Sequence, residues 1–220
     1  MAGRSRETHP WPLFGLRITT PRLELRIPDD DDLADLFEAA RAGIHPADEM
    51  PFGIPWTDGI QDADAATRFL AFHWTARGAI SPERWSLPFA VVEDGRVVGA
   101  QELMAESFAG GRSVSSGSWL TESAQGRGIG VEMRAAVLHL AFAGLGALEA
   151  QTSAWIDNEA SQRVSLRLGY LRDGEVLMAR RGEPIRHLRF RLTREAWQQN
   201  HFDGIELHGL EPCRAILGAA

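Results

Sequence analysis

A single α/β domain on a mixed sheet is the fold this chain predicts, and three observations predict it. Three strand-like runs follow one another between Ser86 and Leu120, as in an antiparallel meander. A glycine-rich run then opens a long amphipathic helix, and a further strand and helix return the chain as a parallel crossover does. With 220 residues and 44% hydrophobic content, the chain can bury one substantial core.

In order, residues 1–20 contain His9-Pro10-Trp11-Pro12 without a clear period and read as an irregular arm. Arg22 to Ile27 alternates polar and apolar residues as a strand, which Pro28 ends. Asp29 to Asp32 stand just before Leu33, Leu36 and Phe37, so they read as the cap and first turn of a helix to about Ala42 rather than as an acidic ligand cluster. Met50-Pro51-Phe52-Gly53-Ile54-Pro55-Trp56 cannot be regular helix, and this stiff apolar loop is either a core plug or the wall of a substrate pocket. A second helix is expected from about Asp62 to Ala76, then strands Ser86 to Glu93, Val97 to Glu106 and Ser113 to Leu120. Asp94-Gly95 makes a tight hairpin turn and Ala109-Gly110-Gly111 a second link. A helix from Gly128 to about Ala143, a strand from Leu148 to Ile156 and a helix from Asn158 to Leu168 follow. Two last strands, about Tyr170 to Arg180 and Ile185 to Leu192, turn at Gly182, and Thr193-Arg194-Glu195 starts a short helix. That makes about seven strands, with an arm at 1–20, a domain at 21–199 and an extension at 200–220. The apolar Ile205, Leu207, Leu210, Ile216 and Leu217 of the extension either cover a neighbouring subunit, in a homo-oligomer, or fold back on their own.

The formal charge of -7 argues against non-specific nucleic-acid binding and favours cationic partners such as amines. All 23 basic residues are arginine, which excludes Schiff-base chemistry and a phosphate-loop lysine. Cys213 is the single cysteine, so no intrachain disulfide forms, as suits a reducing cytoplasm. The seven histidines are scattered, so no metal site is expected. The longest apolar stretch, Ala135 to Leu148, contains His139 and is too short to cross a bilayer, and no signal peptide is seen, so the expectation is a cytoplasmic protein with no membrane partner.

The most informative run is Gln125-Gly126-Arg127-Gly128-Ile129-Gly130. Its glycines carry no Cβ to block a ligand, and the helix it opens leaves free N–H groups at the positive end of its dipole, so an anion is stabilised there; Arg127 adds a cation. Together with Asn158-Glu159-Ala160-Ser161 and Leu168-Gly169-Tyr170, at the expected separation, this run resembles the two signatures of the GNAT superfamily of N-acetyltransferases, in the branch that includes ribosomal-protein N-terminal acetyltransferases. The resemblance covers residues from roughly 20 to 197.

It implies a GNAT fold with a strand splay and acetyl-CoA, or another acyl-CoA, as co-substrate. Backbone N–H groups of Arg127, Gly128, Ile129 and Gly130 would hold the pyrophosphate, and the pantetheine arm would lie between the fourth and fifth expected strands near Trp119 and Leu120. Asn158 and Ser161 would bind pantetheine or order the helix start. Acyl transfer needs a neutral amine, a donor for the developing oxyanion and an acid for the departing thiolate. A backbone N–H around Leu120 is the candidate oxyanion donor. Where many relatives carry an acidic tyrosine, seven residues after Asn158, this chain has Ser165, as the ribosomal-protein branch does. Where relatives often carry a glutamate it has Ser115, which leaves Glu102 and Glu122 as bases, acting directly or through water, with Glu102 favoured. The acceptor is an amine on a small molecule or a protein N-terminus; the acyl group is acetyl, with a succinyl-type donor as the alternative because arginines can grip a carboxylate.

Two competing readings follow from the same residues. A dinucleotide-binding fingerprint fails because its third glycine falls early, at Gly130, and Glu149 starts a strand rather than ending one. An acyl-CoA-binding sensor without turnover gains support from Ser115, while the intact cofactor signatures and Ser165 favour catalysis.

Overall fold

The computed structural model describes residues 6–200 and 202–219; residues 1–5 of the expected arm, and His201 and Ala220 of the expected extension, lie outside them. Among the described residues nine strands make one sheet: β1 (Arg17–Thr19), β2 (Leu23–Arg26), β3 (Arg84–Glu93), β4 (Arg96–Glu106), β5 (Ser113–Leu120), β6 (Glu149–Trp155), β7 (Leu171–Arg180), β8 (Glu183–Thr193) and β9 (Glu206–His208). Their spatial order is β7-β8-β6-β5-β4-β3-β2-β1-β9, and every neighbouring pair is antiparallel except β5 with β6. The expected seven strands are present. The two additional ones, β1 and β9, have three residues each, too few to display a period. They correct the irregular arm: Ile18 of β1 pairs with Leu25 of β2 on one side and with Leu207 of β9 on the other.

Among the described residues six α-helices flank this sheet: α1 (Asp30–Ala42), α2 (Ala65–Gly78), α3 (Phe108–Gly111), α4 (Ile129–His139), α5 (Glu159–Arg167) and α6 (Arg194–Gln199). The acidic run caps α1 as its composition predicts, since Asp29 Oδ1 accepts from the Asp32 N–H at 2.9 Å and Asp32 Oδ2 accepts in return from the Asp29 N–H at 3.3 Å. α2 begins at Ala65 rather than Asp62, because the preceding residues turn through Asp62 N–H to Gly59 O and Ala65 N–H to Asp62 O. The link at Ala109-Gly110-Gly111 forms the short α3. α4 gives way at Leu140 to a wide turn closed by Leu145 N–H on Leu140 O at 2.8 Å. Gly144 in that turn lies under the C-terminal tail, where an added Cβ would meet Leu207 and Leu210 at 2.9 and 3.0 Å.

α1 and α2 cover one face of the sheet, where Leu33 and Leu36 pack on Ala90 and Ala100 with Phe69 and Trp119 beside them. The larger core lies on the other face under α4, whose Ile129, Met133 and Val137 are buried against β-strand residues such as Leu25, Leu103 and Val114. The tail folds back on its own chain: Cys213 and Leu217 are fully buried, and the Trp85 indole N–H donates to Leu217 O at 3.0 Å. No helix among the described residues is long and apolar enough to cross a membrane.

Candidate functional site

β5 and β6 begin as ordinary parallel neighbours and then separate. They pair at Ser113 with Glu149, Val114 with Ala150 and Ser115 with Gln151, and at no later residue. Each continues with its outer partner, β5 with β4 up to Leu120 and β6 with β8 up to Trp155. The last tie across the opening is the Thr152 hydroxyl, which donates to Ser116 O at 3.2 Å. Two strand edges with backbone hydrogen-bonding capacity thus face each other without pairing, and an extended chain inserted there would find partners on both. The splay lies where the fourth and fifth expected strands meet.

The glycine run stands at the end of β5. Gly126 and Gly128 hold φ of +72° and +83°, a left-handed backbone that glycine adopts without strain, and an added Cβ at Gly126 would meet nothing within 4 Å, so its surface is open to a ligand. Gly130 stands at the contact of α4 with α5, where a Cβ would sit at an ordinary 3.5 Å from Val164. Ile129 is fully buried, and its side chain anchors the loop in the core. The Gln125 amide donates to Ile44 O at 2.7 Å and Leu120 O at 3.0 Å, bracing the loop against β5 and the segment after α1. The first turn of α4 leaves N–H groups without helical acceptors, and they crown this loop.

Two charges near the loop escape sequence reading. Arg127 is paired with Glu93 at the end of β3, at 2.9 and 3.0 Å, so its charge is partly answered already. Arg22 donates to Glu132 at 2.7 Å and to Arg127 O at 3.1 Å, and its guanidinium lies 3.6 Å from where a Gly128 Cβ would stand. Neither Glu93 nor Arg22 has a local signal; the sheet brings them in from distant sequence. Next to Gly128 a cavity of about 330 Å³ opens among Arg22, Val131, Arg167 and Phe202.

Behind the splay, α5 starts on Asn158, whose side chain accepts from the Ser161 N–H at 3.1 Å, the plain N-cap use of both residues. Ser165, one turn on, is fully buried, and its hydroxyl donates to Ser161 O at 3.0 Å. The same oxygen accepts from Arg134 Nη1 at 3.0 Å, while Arg134 Nη2 donates to Ser118 Oγ of β5 at 3.1 Å. Sequence reading missed Arg134, which sits among apolar residues of α4 and gives no signal of its own.

On the opposite face of the sheet, Glu102 of β4 stands across from Gly117 of β5. Its carboxylate accepts from the Ser86 hydroxyl, and burial pushes its pKa up against that hydrogen bond. A Cβ at Gly117 would lie 3.8 Å from Glu102 Oε2, an ordinary contact distance that places the carboxylate against this part of β5. Glu122 lies beyond β5 at the end of α1, where an added Cβ on Gly43 would be 3.7 Å from its carboxyl group. The 50–58 loop is a wall rather than a plug. Trp56 packs on Trp119 with ring centroids 5.9 Å apart, Trp155 Nε1 donates to Phe52 O at 3.0 Å, and Asp58 pairs with Arg181 of the β7–β8 turn at 2.6 Å. The loop therefore spans the open end of the splay on the side of Glu102 and Trp119.

The sequence pattern of the acetyltransferase (GNAT) domain matches residues 22–171, and the chain belongs to that family. Its fold is similar to that of Mycobacterium smegmatis RimJ in complex with CoA-disulfide, at a TM-score of 0.68 and 22% identity over 86% of this chain and 91% of that one. RimL, a ribosomal L7/L12 alpha-N-protein acetyltransferase in complex with coenzyme A, aligns at a TM-score of 0.62 and 16% identity, covering 80% of this chain and 97% of that one. A GCN5-related N-acetyltransferase from Brucella melitensis aligns at a TM-score of 0.62 and 17% identity, covering 83% and 80%.

Proposed function

We propose that the chain transfers an acetyl group from coenzyme A to the primary amine of a protein N-terminus, by direct attack in a complex that holds both substrates. One observation carries this reading: the parted edges of β5 and β6 run up to an open glycine turn at the start of α4. A ligand with an amide-bearing arm and a pyrophosphate matches both parts, and ATP or NAD matches only the second.

The residues divide the work accordingly. N–H groups of Arg127, Gly128, Ile129 and Gly130 receive the pyrophosphate, with Arg22 and Arg127 adding charge and Gln125 and Gly126 shaping the turn. Trp119, Leu120, Asn158 and Ser161 flank the pantetheine arm, and the cavity by Arg167 and Phe202 offers room for the nucleotide end. Coenzyme A supplies an acyl thioester. The amine nitrogen bonds to the acyl carbon, the carbon–sulfur bond breaks, and the sulfur leaves with the bonding pair while the amine gives up a proton. Glu102 receives that proton, directly or through water, and its raised pKa suits it to the task. An N–H near Leu120 donates to the developing oxyanion, and the Ser165 hydroxyl turns from Ser161 O to donate to the departing sulfur.

RimL, with its ribosomal-protein substrate, supports the protein N-terminus over a small amine. Incubating the protein with acetyl-CoA, succinyl-CoA and a panel of amines and N-terminal peptides, read by mass spectrometry and thiol release, tests the reading. An acetylated peptide amine with equal thiol release is expected. Succinylated product would change the donor, and tight acyl-CoA binding without turnover on any amine would instead mark a sensor.

A further inference from the structure

Arg134 is a buried cation without an anion. It is 4% exposed, and no carboxylate among the described residues pairs with it. Its Nε has no hydrogen-bond partner among the described residues. The titratable group that acts on Arg134 electrostatically is Tyr170, whose phenol burial pushes up to about 12, so it is neutral at physiological pH. Guanidinium keeps its proton in proteins. A positive charge thus sits under the splay, and every group it touches is neutral.

Its contacts give it a direction. One arm of the guanidinium holds Ser118, on the part of β5 that has already left β6, and the other holds Ser165 of α5. Ser165 therefore accepts a charge-assisted bond on its oxygen, which polarises the O–H that it now donates to Ser161 O and makes it a better donor once it turns to a bound sulfur. A poor acid is the weakest part of the proposed chemistry, and the negative charge that would answer Arg134 is the one that develops on the sulfur when the thioester breaks.

We propose that Arg134 is a positioning residue which, through Ser165, makes the coenzyme A thiol a better leaving group, and that its missing counter-ion is the departing thiolate. The inference rests on the acyltransferase reading. The guanidinium does not touch substrate; it fixes the Ser165 oxygen and supplies a positive field from a buried position.

The test uses the full chain, binding of coenzyme A by calorimetry, and titration of the bound thiol by its thiolate ultraviolet absorbance. In the wild type the bound thiol should titrate about one unit or more below an ordinary thiol near 8.5. Arg134→Met, which removes a buried charge and keeps the length, should leave the dissociation constant within a small factor, return the titration to the ordinary range and lower kcat at unchanged KM. Arg134→Lys should restore part of both effects, and Ser165→Ala should reproduce the methionine variant. An unshifted thiol in the wild type would overturn the proposal whether or not any variant folds, and so would identical titrations in wild type and Arg134→Met. Failure of the wild type to bind coenzyme A would instead remove the acyltransferase reading and this inference with it.

Discussion

At the residue scale, Glu102 joins structure to pH. Burial raises its carboxyl above the ordinary 4.5, with the Ser86 hydrogen bond opposing. The folded chain therefore holds this proton more tightly than the unfolded chain, so stability falls as pH rises from about 4.5 through the raised value, and stays lowered beyond it. Glu102→Gln removes that titration. Its melting temperature should change less with pH than the wild type's over this window, and at alkaline pH it should be at least as stable, while the acid limb of kcat/KM disappears. Identical pH dependence of melting in the two proteins would contradict the buried, titrating carboxylate. Glu102 was legible as a candidate because few acidic residues stand on strands near Gly117. Arg134, Arg22 and Glu93 were not, since their roles come from contacts with Ser165, Arg127 and Arg127, which lie 31, 105 and 34 positions away in sequence respectively.

At the element scale, the glycine run, the capped α1 and the hairpin at Asp94-Gly95 were legible because each is specified by neighbours in sequence. Asp94 and Gly95 hold φ of +49° and +76°, as a two-residue hairpin requires. The 50–58 loop was legible only as irregular, since its use as a wall depends on Arg181 and Trp155, far along the chain. Asp58 ties that wall to the β7–β8 turn from the solvent side. Asp58→Ala should loosen it and raise KM for the peptide amine several-fold, with the dissociation constant of coenzyme A unchanged. If KM for the amine stays the same and coenzyme A binding weakens, the loop serves the cofactor and not the acceptor.

At the scale of the whole molecule, segments from both ends of the described chain extend one side of the sheet. β9 covers the free edge of β1, and Cys213 and Leu217 are fully buried beside Trp85. Sequence left two destinations for this tail, because its scattered apolar residues show no period; in the structure Leu207 and Leu210 pack on Gly144 of the same chain. Each large buried apolar side chain contributes about 1.5–3 kcal/mol. Truncation after Gln199 should therefore lower the melting temperature by about 10 °C or more, given about 2–4 °C per kcal/mol for a chain of this size. A truncated chain that melts with the full-length protein would show that the tail is dispensable.

The central claim is that the splay and the glycine turn together read coenzyme A. Ligand-linked melting tests it most directly, because a ligand that binds only the folded chain adds about 2.7 kcal/mol at 100 times its dissociation constant. Coenzyme A or acetyl-CoA should raise the melting temperature by about 5–10 °C at that ratio, and ATP at the same concentration, with the nucleotide and phosphates but no pantetheine arm, should raise it much less. Equal shifts for ATP and coenzyme A would mean that the turn binds phosphate alone and that the splay between β5 and β6 holds nothing.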